Sequence, residues 1–309
     1  MKKLISIVTP TFNEEKNIEE LSRQIANQMK NTNYDYEHII IDNASTDNTQ
    51  NVIRKICSEN KSVKAIFNNK NFGHIRSPFH GILQCNGDAV ILMASDFQDP
   101  PELIPALLEK WNSGLDIVLL KRKESNENIF TELFKKLFYK IIKLLSETSL
   151  TEKTTGSGII DKKIVEQLKK IDEPYPYFRG LILEFSNKIS TLEFNQPKRS
   201  HGISKNNFFT LFDIGMLGII KHSKIPLRIM TLSGFFLSLL LLIIGIFFLF
   251  YKLLYWNSFQ LGLAPLILGV FFGISIQIML LGIIGEYVGF ILTQVRKMPL
   301  VIERERINF

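Results

Sequence analysis

Two stretches without a charged residue, Ile229–Tyr251 and Leu261–Gly285, constrain this chain more than any other feature. They run for roughly 23 and roughly 25 residues, and as helices each would cross a bilayer core of about 30 Å. A soluble helix of that length, apolar all round, would have no face to turn to water. The expectation is a transmembrane hairpin. Lys221, Lys224 and Arg228 precede the first run, Arg296 and Lys297 follow the second, and the connection carries only Lys252. Positive charge on the flanks predicts that both ends face the cytosol, with Tyr251, Tyr255 and Trp256 at the far interface. Glu286 and Tyr287 fall at the cytosolic end of the second run, where a charge costs less than at mid-bilayer.

The same segments account for a mean hydropathy of +0.10 in a chain of net charge +7 and pI near 9.2. Beside a membrane, that basic balance reads as attraction to anionic lipid, and no nucleic-acid partner is expected. The apolar run after Met1-Lys2-Lys3 ends at Pro10, too short for a signal peptide, so the N-terminus is expected to stay in the cytosol. Cys57 and Cys85 stand 28 positions apart without a C-x-x-C or clustered His, and read as reduced packing thiols.

Residues 1 to about 120 alternate short β-rich runs with helical stretches. Leu4–Thr9, Glu37–Asp42, Val63–Phe67, Ala89–Met93 and Asp116–Leu120 read as strands; Glu14–Met29, Asp47–Ser58, His74–Cys85 and Glu102–Trp111 read as helices. That alternation predicts an α/β fold, a mostly parallel sheet with helices on both faces. Asn13 and Ser45-Thr46-Asp47 are placed as helix caps. Residues 125–150 form a basic amphipathic stretch, either an interfacial helix or a surface helix with one face on the core. The expected division is a catalytic domain over 1–205, a juxtamembrane amphipathic linker over 206–228, spans at 229–251 and 261–285, and a cytosolic tail over 286–309.

Asp88 to Glu102 reads D-A-V-I-L-M-A-S-D-F-Q-D-P-P-E, an apolar strand entering an acidic, proline-closed turn. Open α/β sheets bind ligands at the carboxyl ends of their strands, and hard carboxylate oxygens there suit Mg²⁺ or Mn²⁺ carrying a phosphate. Further motifs follow in order: Val8-Thr9-Pro10-Thr11-Phe12-Asn13-Glu14-Glu15, Ile39-Ile40-Ile41-Asp42-Asn43-Ala44-Ser45, Asn71-Phe72-Gly73, Arg122, Thr155-Gly156-Ser157, Phe178-Arg179-Gly180 and Arg199-x-x-Gly202-x-Ser204-Lys205.

Together these resemble glycosyltransferase family 2, the GT-A fold. Within it the chain is similar to membrane-attached polyprenyl-phosphate glycosyltransferases of the dolichol-phosphate-mannose synthase and bactoprenol glucosyltransferase kind. The resemblance implies inverting transfer of a sugar from a nucleotide sugar, UDP-linked, to a polyprenyl (undecaprenyl) phosphate at the cytosolic face of the inner membrane. It implies that Pro10, Phe12, Glu14, Ile40, Asp42, Ala94, Asp96 and Gln98 bind the nucleotide sugar. Asp96 and Gln98 would hold Mg²⁺ or Mn²⁺, and Arg122, Arg199, Ser204 and Lys205 the diphosphate or acceptor phosphate. Asp96 and Arg122 stand as the catalytic pair, and a homo-oligomer is compatible with the pattern.

Two positions depart from the family pattern. Ala94 stands where a first Asp commonly makes D-x-D, which should weaken metal binding. Asn43 stands where a second Asp commonly follows Asp42. Thr155-Gly156-Ser157-Gly158-Ile159 also lacks a Phe-Arg pair often seen in relatives. These departures leave two other readings: a catalytically silent membrane scaffold of the same fold, or a family 2 enzyme acting on a saccharide hydroxyl with Glu184 as base. An ionised phosphate needs no strong base, because its second pKa lies near 6. His74, at the start of a helix, either touches phosphate or sugar or packs at the helix N-terminus, and Arg76 has the better claim on phosphate; His201 is given no proton-transfer role.

Overall fold

A computed structural model of the protein describes residues 2–123, 154–197, 225–255 and 263–309. Expectations that fall on residues 125–150, on most of the 206–228 linker, on Trp256, and on Arg199, His201, Ser204 and Lys205 lie outside the described residues.

Five strands arrive where the β-rich runs predict: β1 (Leu4–Thr11), β2 (Asp35–Asp42), β3 (Val63–Asn68), β4 (Ala89–Leu92) and β5 (Ile117–Arg122). Three more were not read from the sequence: β6 (Thr154–Asp161), β7 (Ile189–Phe194) and β8 (Glu303–Ile307). All eight join one sheet in the order β7-β5-β6-β4-β1-β2-β3-β8. The pairs β1–β2, β2–β3, β1–β4 and β5–β7 are parallel, while β6 runs antiparallel to β4 and β5, and β8 antiparallel to β3.

Helices cover both faces. The first apolar cluster packs Ile5, Ile7 and Ile40 of the sheet against Ile18, Leu21 and Ile25 of α1 (Ile18–Lys30), Ile53 of α2 (Thr49–Glu59) and Leu107 of α4 (Ile104–Asn112). The second packs Val8, Ile39 and Ile41 against Phe79 and Ile82 of α3 (Gly73–Leu83) and Ile164 and Leu168 of α5 (Lys162–Lys169). Strand β2 serves both clusters because alternate side chains point to opposite faces, which is why Ile39-Ile40-Ile41 is apolar throughout. A short helix, α6 (Phe178–Leu181), closes the second face.

The apolar runs form α7 (Ile225–Leu254) and α8 (Leu263–Val295). Both are long and apolar enough to cross a membrane, and the side chains of their described stretches stand exposed. Helix α8 extends ten residues past the expected end of the second run, carrying Glu286 inside it. Nor is residue 286 the start of a free tail. After α8 the chain turns back and pairs as β8 with β3, Ala65 opposite Ile307 and Ile66 opposite Arg306. Short, highly charged Glu303–Ile307 is a poor strand by sequence, yet it suits an edge, where charge discourages pairing with a further chain.

The C-terminal segment is held at many points. Arg54 of α2 binds Glu305 through both terminal guanidinium nitrogens, and Asn69 donates its N–H to the Ile302 carbonyl at 2.9 Å. His80 bonds Glu303, and Arg76 donates to the Leu300 and Pro299 carbonyls while stacking on Phe72. Arg76 is thereby committed to the C-terminal connection, which displaces the expectation that it faces phosphate. Gln294, near the end of α8, donates to Glu173 at 2.8 Å.

Candidate active site

The carboxyl ends of β4, β1 and β2, adjacent in the sheet, share one backbone feature. Each is followed by a non-glycine residue in the left-handed region: Phe97 (φ 60°), Asn13 (φ 58°) and Ala44 (φ 60°). A side chain there costs about 1–2 kcal/mol, and such outliers gather where surrounding bonds hold a functional loop. The holding bonds are explicit. Asn13 donates its N–H to Ser45 Oγ at 2.9 Å and accepts from the Thr46 N–H at 2.8 Å; Glu14 N–H reaches Thr49 Oγ1 at 2.8 Å. Asn13 and Ser45–Thr46 thus stitch the two loops together, and the helices begin after Asn17 and Asn48, while Asp47 accepts the Thr49 N–H at 3.0 Å at the start of α2.

Asp42 ends β2 with its side chain fully buried. Its carboxylate accepts from the Ser45 N–H at 3.3 and 3.1 Å and from Gln50 Nε2 at 2.8 Å. Burial pushes its pKa upward, opposed by those hydrogen bonds and by the charge of Arg304. Ile40 is fully buried in the first core cluster, so its side chain supports β2 from beneath. Pro10 and Ala94 do line one. They share a hollow of about 220 Å³ with His74, Ile75, Tyr177 and Ser157 at the carboxyl edge of the sheet. Phe12 and Glu14 lie partly exposed on the β1 loop, and the Glu14 carboxylate accepts from Asn17 Nδ2 at 2.6 Å.

In the Ser95–Asp99 turn, Asp96 is 5 % exposed and accepts the Gln98 N–H at 3.1 Å, while the Gln98 side chain stays partly exposed. Asp99 is the residue the sequence reading undervalued. One of its oxygens accepts from Ser157 Oγ at 2.5 Å and from the Ala94 N–H at 3.3 Å, joining the acidic turn to β6; the other is buried without a partner. Burial pushes the Asp99 carboxyl up, Asp96 adds to the rise, and the charge of Arg122 opposes it. Arg122, exposed at the end of β5, therefore acts electrostatically on the acidic turn. Glu184 stands exposed on a 3-10 turn, Ile182–Glu184.

No group of three His, Cys, Asp or Glu poised for a metal occurs among the described residues. Among the described residues, the hard donors this turn holds for a cation are Asp96, Gln98 and the orphaned Asp99 oxygen. That thin, hard donor set fits Mg²⁺ or Mn²⁺ only when a ligand's phosphates complete the coordination, as these ions commonly allow.

The family model "Glycosyl transferase family 2" matches residues 6–169, and the chain belongs to that family. It is a glycosyltransferase by that membership. Among curated proteins it is 31 % identical over 299 residues to the uncharacterized glycosyltransferase sll0501 of Synechocystis sp., covering 96 % of this chain and 94 % of that one. It is 29 % identical over 304 residues to the bactoprenol glucosyl transferase of Shigella phage SfV, covering 98 % and 99 %. Among solved structures, the Mycobacterium tuberculosis glucosyl-3-phosphoglycerate synthase in complex with Mn²⁺, UDP and phosphoglyceric acid aligns at a TM-score of 0.48, with 19 % identity over 71 % of this chain and 76 % of that one. That likeness is too distant to bear on chemistry.

Proposed function

We propose that the protein transfers a sugar from a nucleotide-sugar donor, UDP-linked, to a polyprenyl phosphate of the undecaprenyl type, with inversion at the anomeric carbon, at the cytosolic face of the bacterial inner membrane. The observation that carries this reading is the return of the chain, after its second long apolar helix, into the same sheet that bears the candidate site. Segments before α7 and after α8 lie in one domain, so two crossings would leave both on the same side, with the carboxyl edge of the sheet tethered next to the bilayer. A lipid phosphate is the acceptor that such tethering serves, because its tail can stay in the membrane while its headgroup reaches the sheet. The name of the Shigella phage relative points to the same acceptor class.

Asp42, Pro10, Phe12 and Glu14 hold the nucleoside in this reading, and Asp96, Gln98 and Arg122 face the diphosphate. Arg199, Ser204 and Lys205 receive the acceptor phosphate. A bound Mg²⁺ or Mn²⁺ would neutralise diphosphate charge, with Asp96 and Asp99 supplying protein oxygens. The acceptor oxygen, already ionised, attacks the anomeric carbon as the nucleoside diphosphate departs from the opposite face, so a single displacement inverts it. The protein's task is alignment and charge neutralisation, which positioned guanidinium groups perform.

The test incubates the full chain in membranes with labelled nucleotide sugars and undecaprenyl phosphate, with and without EDTA. The expected product is acid-labile, soluble in organic solvent and dependent on the prenyl phosphate, and it is lost in Asp96→Ala. Transfer to a saccharide hydroxyl without the lipid, or unchanged transfer by Asp96→Ala, would overturn the proposal.

A further inference from the structure

The C-terminal strand reaches the candidate donor site through two side chains. Arg304 of β8 donates to Gln50 Oε1 at 2.7 Å, and the same Gln50 amide donates from Nε2 to Asp42 at 2.8 Å and to the Ser45 carbonyl at 3.1 Å. These bonds fix which end of the Gln50 amide is oxygen, since Arg304 has only donors and Asp42 and the Ser45 carbonyl only accept. The strand that carries Arg304 is itself anchored, by Arg54 on Glu305, by His80 on Glu303 and by its ladder with β3.

We infer that Arg304 and Gln50 are positioning residues for the donor site: together they set the orientation of the Asp42 carboxylate, so that the polypeptide leaving the second apolar helix completes the nucleotide pocket. This inference rests on the donor-site reading of Asp42. Its physical content is that a fully buried carboxylate needs its hydrogen bonds satisfied and its charge balanced. Of the elements packed around it, β1 and β3 bring Thr11 and Phe67 opposite Asp42, neither charged. Helix α2 brings Gln50 and Arg54, the latter occupied by Glu305, and β8 brings Arg304. Among the described residues Arg304 is therefore the cation left to act on Asp42, and it does so from an exposed position.

The consequence is a donor site sensitive to how the segment after α8 is seated. A structural strap with no role in binding would change thermal stability alone. A positioning role shows in the donor KM and in its pH dependence. Removing Arg304 takes away a charge that favours the ionised carboxylate, so the acid limb of donor binding should move to higher pH.

The experiment uses the full chain in detergent or nanodiscs and measures UDP binding by calorimetry and the donor KM and kcat in the prenyl-phosphate assay. Variants are Arg304→Met, Arg304→Lys, Gln50→Leu, the Arg304→Met/Gln50→Leu double, Asp42→Asn, and Arg306→Met as a same-strand control. Arg306 engages Glu303 and Gln84 instead of Gln50. Arg304→Met and Gln50→Leu should each raise the donor KM and the UDP dissociation constant about five- to tenfold, with kcat within about twofold, and the double variant should be no worse than the more impaired single one. Arg304→Lys should recover part of the loss, and Arg306→Met should match wild type. If Asp42→Asn weakens UDP binding while Arg304→Met does not, the inference fails and the donor-site reading stands. If Asp42→Asn also binds UDP normally, both fail. A loss that appears equally in Arg306→Met, or only as a lower melting temperature, would mark the strand as structural and overturn the inference.

Discussion

Asn43, where the family pattern commonly has Asp, can be tested directly as a structural residue. Its amide uses every hydrogen-bonding position it has. Nδ2 donates to Asn71 Oδ1 at 2.8 Å and to the Gly73 carbonyl at 3.1 Å; Oδ1 accepts from the Phe72 N–H at 2.9 Å and from Asn68 Nδ2 at 3.1 Å. The backbone partners settle the orientation, because an N–H can only donate and a carbonyl only accept. Asn43 is 7 % exposed, so water replaces little of this network. In Asn43→Asp the carboxylate keeps both acceptor bonds but turns an oxygen toward the Gly73 carbonyl and Asn71 Oδ1. Asn71 could rotate its amide to donate, yet its oxygen already receives the Gly73 N–H at 2.8 Å, so rotation moves the loss without removing it.

Two lost hydrogen bonds, with the Asn71 and Gly73 oxygens left facing a negative charge, should cost about 2–4 kcal/mol. At roughly 2–4 °C per kcal/mol for a domain of this size, the melting temperature should fall by about 4–16 °C. The penalty should also depend on pH. The new carboxyl has a folded pKa raised above its unfolded value near 3.9, so stability is present below that value and is lost as pH rises through the folded pKa. The check is thermal unfolding of wild type, Asn43→Asp and Asn43→Ala between pH 4 and 8. Equal melting of wild type and Asn43→Asp at pH 8, or a penalty that shrinks as pH rises, would refute the argument. Either would also reopen the view that the Asp42-Asn43 departure concerns catalysis.

Other expectations follow from buried groups elsewhere in the sheet and its helices. His38 lies fully buried between Thr9 Oγ1 at 2.9 Å and Ser22 Oγ at 3.3 Å, and burial pushes its pKa down to about 3. The unfolded chain takes its proton near pH 6.5 and the native one does not, so stability should fall between about pH 6.5 and 3 by on the order of 4 kcal/mol; His38→Asn should show a flatter acid limb in denaturant unfolding. At Gly158 (φ 148°) a Cβ would lie 2.1 Å from the Val118 carbonyl oxygen, so Gly158→Ala should lower stability by about 3 kcal/mol or more, visible as a lower melting temperature or lost expression. Burial pushes the Cys57 thiol up to about 11 and raises Cys85 as well, so maleimide should leave the native protein unlabelled at pH 7 and label two thiols after unfolding.

Much of the fold was legible because its first five strands are short, apolar and separated by helices, a pattern fixed by local chemistry. The candidate site was legible wherever a motif sat at a strand end: Pro10, Asp42, Ala94 and Asp96 all fall at the carboxyl edge of β1, β2 and β4. Ile40, implied by the resemblance as part of the nucleotide-sugar site, has its side chain in the core, because motif order does not say which face of a doubly covered strand a residue takes. Strand β8 was hidden for a different reason. Glu303-Arg304-Glu305-Arg306 has the composition of a solvated tail, and only its tertiary partners make it a strand: Arg54 and His80 receive its carboxylates, and β3 supplies the ladder. No window of sequence contains both halves of those pairs, since Arg54 and Glu305 stand 251 residues apart.

The same separation explains the site residues that were passed over. Asp99 looked like one carboxylate among several until Ser157, 58 residues on, closed around one of its oxygens and left the other buried and unpaired. Arg304 looked like surface charge until Gln50 placed it one amide away from Asp42. In both cases the chemistry belongs to contacts across the sheet edge, between β4 and β6 and between α2 and β8. The sheet order matters here, because β6 and β8 are the two strands that run antiparallel to the neighbours bearing the motifs. By that arrangement the strands least visible in the sequence flank the parallel core: β6 brings Ser157 directly onto Asp99, and β8 brings Arg304 to Asp42 through Gln50.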